Sequence, residues 1–445
     1  MLFRFRAAKM RAMELSGKRV TVAGLGRFGG GILVTRWLVE QGARVLVTDT
    51  ASTESLADSV AQLAGLPVAY RLGEHVEEDF ARADLVVASP AVAYDSKYLQ
   101  AARAASVPVT TEIRLFIERC PARIVAVTGT KGKSTTTAML GRMLTRRITT
   151  HVGGNIGLSL LADLPKIQAD DLVVLELSSF MLEYLAEAQW SPHVAVVTMI
   201  APDHLDRHKT MEAYVAAKAN LIRFQTERDY TVLNETCPRS RELSKLTRGK
   251  VLLYGLENRR ALSLKVPGQH NQLNAQAALA AASIFEVSWD DAQAALTDFR
   301  GLEHRLELVH EQRNIQYFND SIATIPEAAI AALDSFPPRT VIQIVGGYDK
   351  GLSLAELAAA LAQRAKAAMC IGATGPTIAR LAGEGQHQNN APFYQCGDLA
   401  TAMKLAKAMA VPGDVVLLSP GCASFDQFRN FQERGKAFAA LAREE

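Results

Sequence analysis

Arg123-Ile124-Val125-Ala126-Val127-Thr128-Gly129-Thr130-Lys131-Gly132-Lys133-Ser134-Thr135 is the stretch from which the fold can be read. The apolar run at its start reads as a buried strand, and a helix is predicted from Thr135 to Leu144. A strand, a glycine turn, a lysine and a hydroxyl at a helix start are the parts of a phosphate-binding loop. Backbone N–H groups from Gly129 to Thr135 would cradle phosphates, and Lys133 would neutralise the β- and γ-charge. Ser134 could ligate Mg²⁺. The spacing departs from the general GxxxxGK[ST] pattern, so the strand–turn–helix context carries the reading.

Working outward, the same grammar recurs upstream. Strand Arg19–Ala23 leads into Gly24-Leu25-Gly26-Arg27-Phe28-Gly29, a helix through Glu40, and strand Arg44–Thr48 with Asp49 at its end. That is a βαβ unit with a dinucleotide-type fingerprint, in which Asp49 is placed to meet a ribose hydroxyl. The residues alone leave NAD, FAD and other nucleotides open, as well as glycines that merely permit tight packing. A further strand, Asp84–Ala88, ends in Ser89-Pro90. Downstream come strands Leu172–Leu175 and Val194–Val197, then a third unit from about His304. That unit has strands Thr340–Val345 and Asp414–Leu418 and helices such as Leu354–Lys366. Strands alternating with helices three times over predict an α/β chain with parallel sheets. A length of 445 residues suits about three domains. The expected limits are 14–113, 114–307 and 308–445, with residues 1–13 a disordered extension or Met13 an alternative start.

Composition narrows the function. Lys plus Arg is 49 against 46 Asp plus Glu, giving a formal +3 that does not support broad nucleic-acid binding. Five scattered cysteines form no CxxC pair, which favours a reducing cytoplasm over a disulfide framework. No apolar run approaches the ~18 residues of a membrane span, and the basic N-terminus lacks a signal-peptide core.

Other polar clusters follow strands. Glu176, in Glu176-Leu177-Ser178-Ser179-Phe180, is placed to hold Mg²⁺ opposite Ser134; the plainer reading is an acid complementing a helix dipole. Asp203-His204-Leu205-Asp206-Arg207-His208 adds a third strand-end cluster. Lys218, in an apolar helical stretch, reads by itself as a lysine snorkelling to the surface. His270 to Asn274, Gly301 to Arg305, Asn319 to Ser321, Gly346 to Gly351 and Ser419 to Asp426 suggest a second lip of a cleft. Arg305 and Lys350 there suit anionic groups.

The ordered set GTKGKST, NIG (Asn155 to Gly157), ELSSF, DHLDRH, HNQLN, GLEHR, NDS and SPGCASFDQF resembles the Mur ligase family, from about residue 14 to the end. The resemblance implies an N-terminal Rossmann-like domain for UDP, a central ATPase domain and a Rossmann-like C-terminal domain. It further implies ATP-dependent amide formation through an acyl phosphate, with UDP-N-acetylmuramoyl-L-alanine and glutamate as small-molecule substrates of a monomer. Gly26, Arg27, Phe28, Asp49, Thr50, Ser89 and Pro90 then match UDP-side positions, and Asn155 and Ser178 muramoyl-side contacts. Lys133 matches the phosphate-loop lysine. Ser134, Glu176 and His204 match ligands of two Mg²⁺ ions, and Lys218 matches a lysine carbamylated to support the second. Asn271, Arg305 and Asp320 match ATP-binding positions; Thr324, Lys350, Ser424 and Phe431 match a glutamate pocket. The ELSSF and SPGCASFDQF regions favour the branch that adds D-glutamate. Departures are Ile322 and Lys131, where lysine and asparagine are usual, and Met181 in place of a common glutamine. The segment around Ile322 keeps an L-glutamate-adding sister group, working with a separate epimerase, as the alternative. A dinucleotide-dependent oxidoreductase would leave the phosphate loop unexplained, and a non-catalytic regulator would leave Lys133, Glu176, His204 and Lys218 unexplained.

Overall fold

Short runs of valine, isoleucine, leucine and alanine, each closed by a glycine-bearing turn, become the strands of three twisted sheets. A computed structural model describes residues 13–26, 29–157, 159–257, 259–384 and 391–444. The expected N-terminal extension, Arg27 and Phe28 lie outside the described residues, apart from Met13.

The first sheet contains β1 (Arg19–Ala23), β2 (Arg44–Asp49), β3 (Val68–Leu72), β4 (Leu85–Ala88) and β5 (Val109–Thr110), in the order β3-β2-β1-β4-β5 and parallel throughout. The second contains β6 (Arg123–Thr128), β7 (Thr150–Gly154), β8 (Leu172–Glu176), β9 (Val194–Val197), β10 (Tyr230–Asn234) and β11 (Lys250–Tyr254). Its order is β11-β10-β9-β6-β8-β7, again all parallel. The third contains β12 (Glu307–Gln312), β13 (Ile315–Asn319), β14 (Val341–Gly346), β15 (Ala367–Ile371), β16 (Phe393–Gly397) and β17 (Val415–Leu418). Its order is β12-β13-β17-β14-β15-β16.

One expectation needs correction. The third sheet is not wholly parallel, because β12 and β13 form an antiparallel hairpin. Only Arg313 and Asn314 separate them, both at positive φ (52° and 58°). Two residues make a hairpin turn of the I′ kind and leave no length for a crossover helix.

The chain forms two compact units. One runs to Arg259 and takes in Asn274–Ala292; the other joins Arg260–Leu273 to the chain from Gln293 onward. In the first unit both sheets share one apolar core, in which Val22 and Phe116 join Ile124, Leu160 and Leu175. In the second unit β14 alternates, sending Val341 and Val345 to one face and Ile342 and Ile344 to the other. A strand covered on both faces is why its sequence is a nearly unbroken apolar run. Each sheet reverses its strand order once, beside β1, β6 and β14, and the glycine loops leave the C-terminal ends of those strands. Such crevices are where α/β sheets bind ligands. No helix among the described residues is long and apolar enough to cross a membrane.

Candidate active site

The phosphate loop is built as expected at the end of β6. Gly132, at φ 85°, caps the helix Lys133–Thr145, which places Lys133 and Ser134 in its first turn. Only glycine suits two positions here. A Cβ on Gly129 (φ 146°) would overlap the Thr198 hydroxyl, and one on Gly132 would overlap the Asn274 amide oxygen. Thr198 donates to the Lys131 carbonyl at 2.6 Å, and the Thr130 amide donates to the Met199 carbonyl at 2.6 Å. The Lys133 ammonium reaches the Thr130 carbonyl at 2.9 Å. The loop is therefore held in shape by β9 and the chain that follows it. Lys131 is exposed, and Thr135 is buried.

Lys218 lies against this loop. The residue-only expectation of a snorkelling lysine fails, since its relative exposure is 1%. It sits on the helix Met211–Ala219, donates to the Gly129 carbonyl at 2.7 Å and lies 4.5 Å from the Tyr214 ring centre. Burial, aided by the charge of Lys133, lowers its pKa to about 7, while Asp203 and Glu176 oppose the shift. Glu176 ends β8, in register with Val127 on β6, and is also 1% exposed. Asn155 donates to one of its oxygens at 2.9 Å; the other, Oε2, is buried with no hydrogen-bond partner. A buried carboxylate oxygen left open beside a phosphate loop fits a hard cation.

His204 stands apart from that pair in character. It is half-exposed, at φ 52°, and its ring lies 5.0 Å from Phe180. Neighbouring His208 is buried and bonded to Ser179 at 2.9 Å. Between the two histidines, Arg207 donates to the carbonyls of Pro90, Ala91 and Val92 at 3.3, 3.0 and 2.7 Å. Arg207 thereby ties the His204 segment to the Ser89-Pro90 loop.

That loop borders a cavity of about 280 Å³ whose lining includes Gly24, Ser89, Glu112, Asn155, Ser159 and Met181. Pro90 lines it as well. Gly24 and Gly26 have positive φ, and Asp49 accepts from the Leu25, Gly26 and Ala51 amides at 2.8, 3.0 and 2.9 Å. Asp49 Oδ2 thus holds the glycine turn, while Oδ1 caps the chain just after β2. Gly31 is required too, because a Cβ there would overlap the Leu25 carbonyl. Thr50 is exposed, and Ser178 caps the helix Ser179–Ala186 by accepting from the Met181 amide at 3.3 Å.

In the second unit the loops after β13, β14 and β17 converge. Asp320 accepts from the Leu306 amide at 3.2 Å and the Ser419 hydroxyl at 2.7 Å; burial raises its pKa to about 7 against the opposing charge of Arg305. Thr324 and Lys350 line a small pocket with Tyr348 and Cys422, and Lys350 reaches the Thr324 carbonyl at 3.4 Å. Ser424 is buried on the loop after β17, and the Phe431 carbonyl accepts from Ser321 at 2.8 Å. Asn271 donates to the Pro267 carbonyl at 2.6 Å. Sequence reasoning missed the group that organises this end. Arg434, 1% exposed, makes five hydrogen bonds of 2.9–3.1 Å to Ser321, Cys422 and Ala423. It also missed Asn274, whose amide oxygen accepts from Thr136 at 3.4 Å, and Arg207; both lie inside quoted motifs, yet polarity alone did not separate them from their neighbours.

Family models described as Mur ligase MurD-like N-terminal domain, Mur ligase middle domain, and Mur ligase glutamate ligase domain match residues 18–111, 127–263 and 304–422. The UDP-N-acetylmuramoylalanine–D-glutamate ligase of Roseiflexus sp. (strain RS-1) is 43% identical, over 96% of this chain and 99% of its own length. The chain belongs to the Mur ligase family. Another relative of this Mur ligase, the enzyme of the same name from Anaeromyxobacter dehalogenans (strain 2CP-C), is 39% identical over 98% of this chain and 100% of its own. The crystal structure of UDP-N-acetylmuramate–alanine ligase from Thermotoga maritima shares the fold, with a TM-score of 0.60 and 21% identity over 95% of this chain and 98% of that one. The three-domain α/β expectation is borne out, and the oxidoreductase alternative falls away.

Proposed function

We propose that this Mur ligase joins D-glutamate to the alanine carboxyl of UDP-N-acetylmuramoyl-L-alanine, with ATP converted to ADP and phosphate, in peptidoglycan precursor synthesis. The observation that carries the reading is the buried Lys218 and Glu176 beside the phosphate loop, in a chain whose full-length relatives bear that name. A carboxylate is a poor electrophile. Its oxygen attacks the γ-phosphorus of ATP and ADP leaves, giving an acyl phosphate. The glutamate amine then attacks the carbonyl carbon, phosphate departs with the bridging oxygen, and the amine sheds its proton. The protein's task is positioning and charge stabilisation.

Within that reading, Gly129, Thr130, Lys131, Gly132, Lys133, Ser134 and Thr135 hold the phosphates, with Asn271, Arg305 and Asp320 as further ATP contacts. Asn155, Ser178, Ser89, Pro90 and the Gly26–Asp49 turn serve the sugar nucleotide, while Thr324, Lys350, Ser424 and Phe431 receive glutamate. Ser134, Glu176 and His204 would hold two Mg²⁺ ions, for which the open Glu176 oxygen is a fitting ligand. Bound there, Mg²⁺ supplies neutralisation of phosphate charge. Lys218, with its ammonium disfavoured by burial, is suited to react as the neutral amine with CO₂, forming an N–C bond and releasing a proton to give a carbamate. That modification would put a second carboxylate beside Glu176. All partners so assigned are small molecules, which fits a cytoplasmic monomer.

Phosphate release with ATP, Mg²⁺ and UDP-N-acetylmuramoyl-L-alanine, with D- or L-glutamate in parallel, tests the assignment. Turnover with D-glutamate alone is expected. Turnover with L-glutamate alone would move the chain to the sister group and make Ile322 the first suspect; silence with both would refute the ligase assignment.

A further inference from the structure

Glu112 has no part in the chemistry above, yet it lines the 280 Å³ cavity that contains Ser89 and Asn155. We propose that Glu112 is a further specificity-determining residue, whose carboxylate accepts a hydrogen bond from a hydroxyl or amide N–H on the sugar portion of the sugar nucleotide. The inference rests on the reading of this chain as a ligase acting on UDP-N-acetylmuramoyl-L-alanine.

Three observations carry it. First, the backbone under Glu112 is fixed. It opens the helix Glu112–Arg119, which Thr111 caps by accepting from the Arg114 amide at 3.3 Å. Second, the carboxylate is under-supplied with donors. The Ser159 hydroxyl donates to one oxygen, whereas an ionised carboxylate has about four acceptor sites. Burial accordingly pushes its pKa up, with Ser159 only partly offsetting the effect. A carboxylate held in that condition gains from any further N–H or O–H donor brought into the cavity.

Third, the cavity is electrostatically divided. At the glycine turn, Gly24 and Gly31 also line it, and the helix Gly30–Glu40 begins there, an end that favours anions. Glu112 would repel a phosphate. A ligand with a diphosphate at one end and a neutral, donor-rich sugar at the other is therefore oriented by this pair of environments. Its diphosphate goes to the glycine turn and its sugar to Glu112 and Ser159, leaving the alanyl end to extend beyond the sugar.

Calorimetric titration of the full-length protein with UDP and with UDP-N-acetylmuramoyl-L-alanine tests the proposal. Glu112→Ala should weaken the sugar nucleotide by about tenfold or more while leaving UDP within about twofold, since a charge-assisted hydrogen bond to the sugar is what is lost. Glu112→Gln keeps the volume and an acceptor for Ser159, and should show a smaller loss with the same selectivity; it carries the test if the alanine variant fails to fold. Equal weakening of both ligands, or of neither, would overturn the proposal. A wild-type protein that binds UDP and the sugar nucleotide equally well would also overturn it. Failure of the wild type to bind either nucleotide would instead overturn the proposed function.

Discussion

Lys218 is a cation whose surroundings favour its neutral form. Its ammonium is buried against the Gly129 carbonyl and the Tyr214 ring, and lies within electrostatic reach of Lys133. If the side chain acts as a carbamate, Lys218→Ala should lose most phosphate release, and short carboxylic acids such as acetate should restore part of it. Unchanged activity, or a loss that no acid relieves, would remove the carbamate from the mechanism. Asp320 presents the opposite case, a carboxyl that burial holds protonated up to about pH 7, against an ordinary value of 3.8. Between those values the folded state binds more protons than the unfolded one, so this group's stabilising contribution is present at low pH and is lost as pH rises through 7. The stability of the wild type relative to Asp320→Asn should therefore decline from pH 4 to pH 7, as read by calorimetric melting; a flat difference would contradict the assignment. Neither environment could be read from the residue types. A lysine in an apolar helix looks like a snorkelling one until the packing around it is seen.

At the scale of elements, the loops that must be glycine-rich were the most legible. Gly24, Gly26, Gly129 and Gly132 adopt positive φ, so their roles follow from backbone geometry that other residues resist. Edge strands were less so. β3 and β11 both carry exposed positions, Arg71 interrupts the apolar pattern of β3, and the β12–β13 hairpin hides in a polar stretch, His310 to Gln316, where periodicity is weak. The segment Leu205–His208 is a further case. Its motif was visible, but its bonding partners in the Pro90–Val92 loop lie more than a hundred residues away. Arg207 is there a positioning residue, joining the loop that borders the cavity of Ser89 and Asn155, where the sugar nucleotide is proposed to bind, to the segment bearing His204. Arg207→Ala should raise KM for the sugar nucleotide about tenfold, in keeping with the loss of hydrogen bonds from a charged group, and leave KM for ATP little changed. Arg207→Lys, whose single nitrogen cannot span the carbonyls that the two terminal guanidinium nitrogens reach, should recover only part. Equal effects on both substrates would indicate a general loss of structure instead.

Across the whole molecule, three sheets repeat one device: a strand beside the reversal in strand order, ending in a loop whose amides and polar side chains face a crevice. That repetition made the α/β class and the three-domain order legible from the sequence. Which distant loops share a cavity was not legible, because Ser89, Glu112 and Asn155 are brought together only by the core common to the first two sheets. Nor was the role of Arg434 in gathering Ser321, Cys422 and Ala423, since an arginine in an amphipathic helix ordinarily faces solvent. The proposed reaction requires that the alanyl carboxylate be the group that ATP activates. The direct measurement uses UDP-N-acetylmuramoyl-L-alanine labelled with ¹⁸O in that carboxylate, turned over with ATP, Mg²⁺ and D-glutamate, followed by mass spectrometry of the released phosphate. An acyl phosphate predicts one ¹⁸O transferred into each phosphate from a fully labelled carboxylate. Unlabelled phosphate alongside ligated product would contradict it.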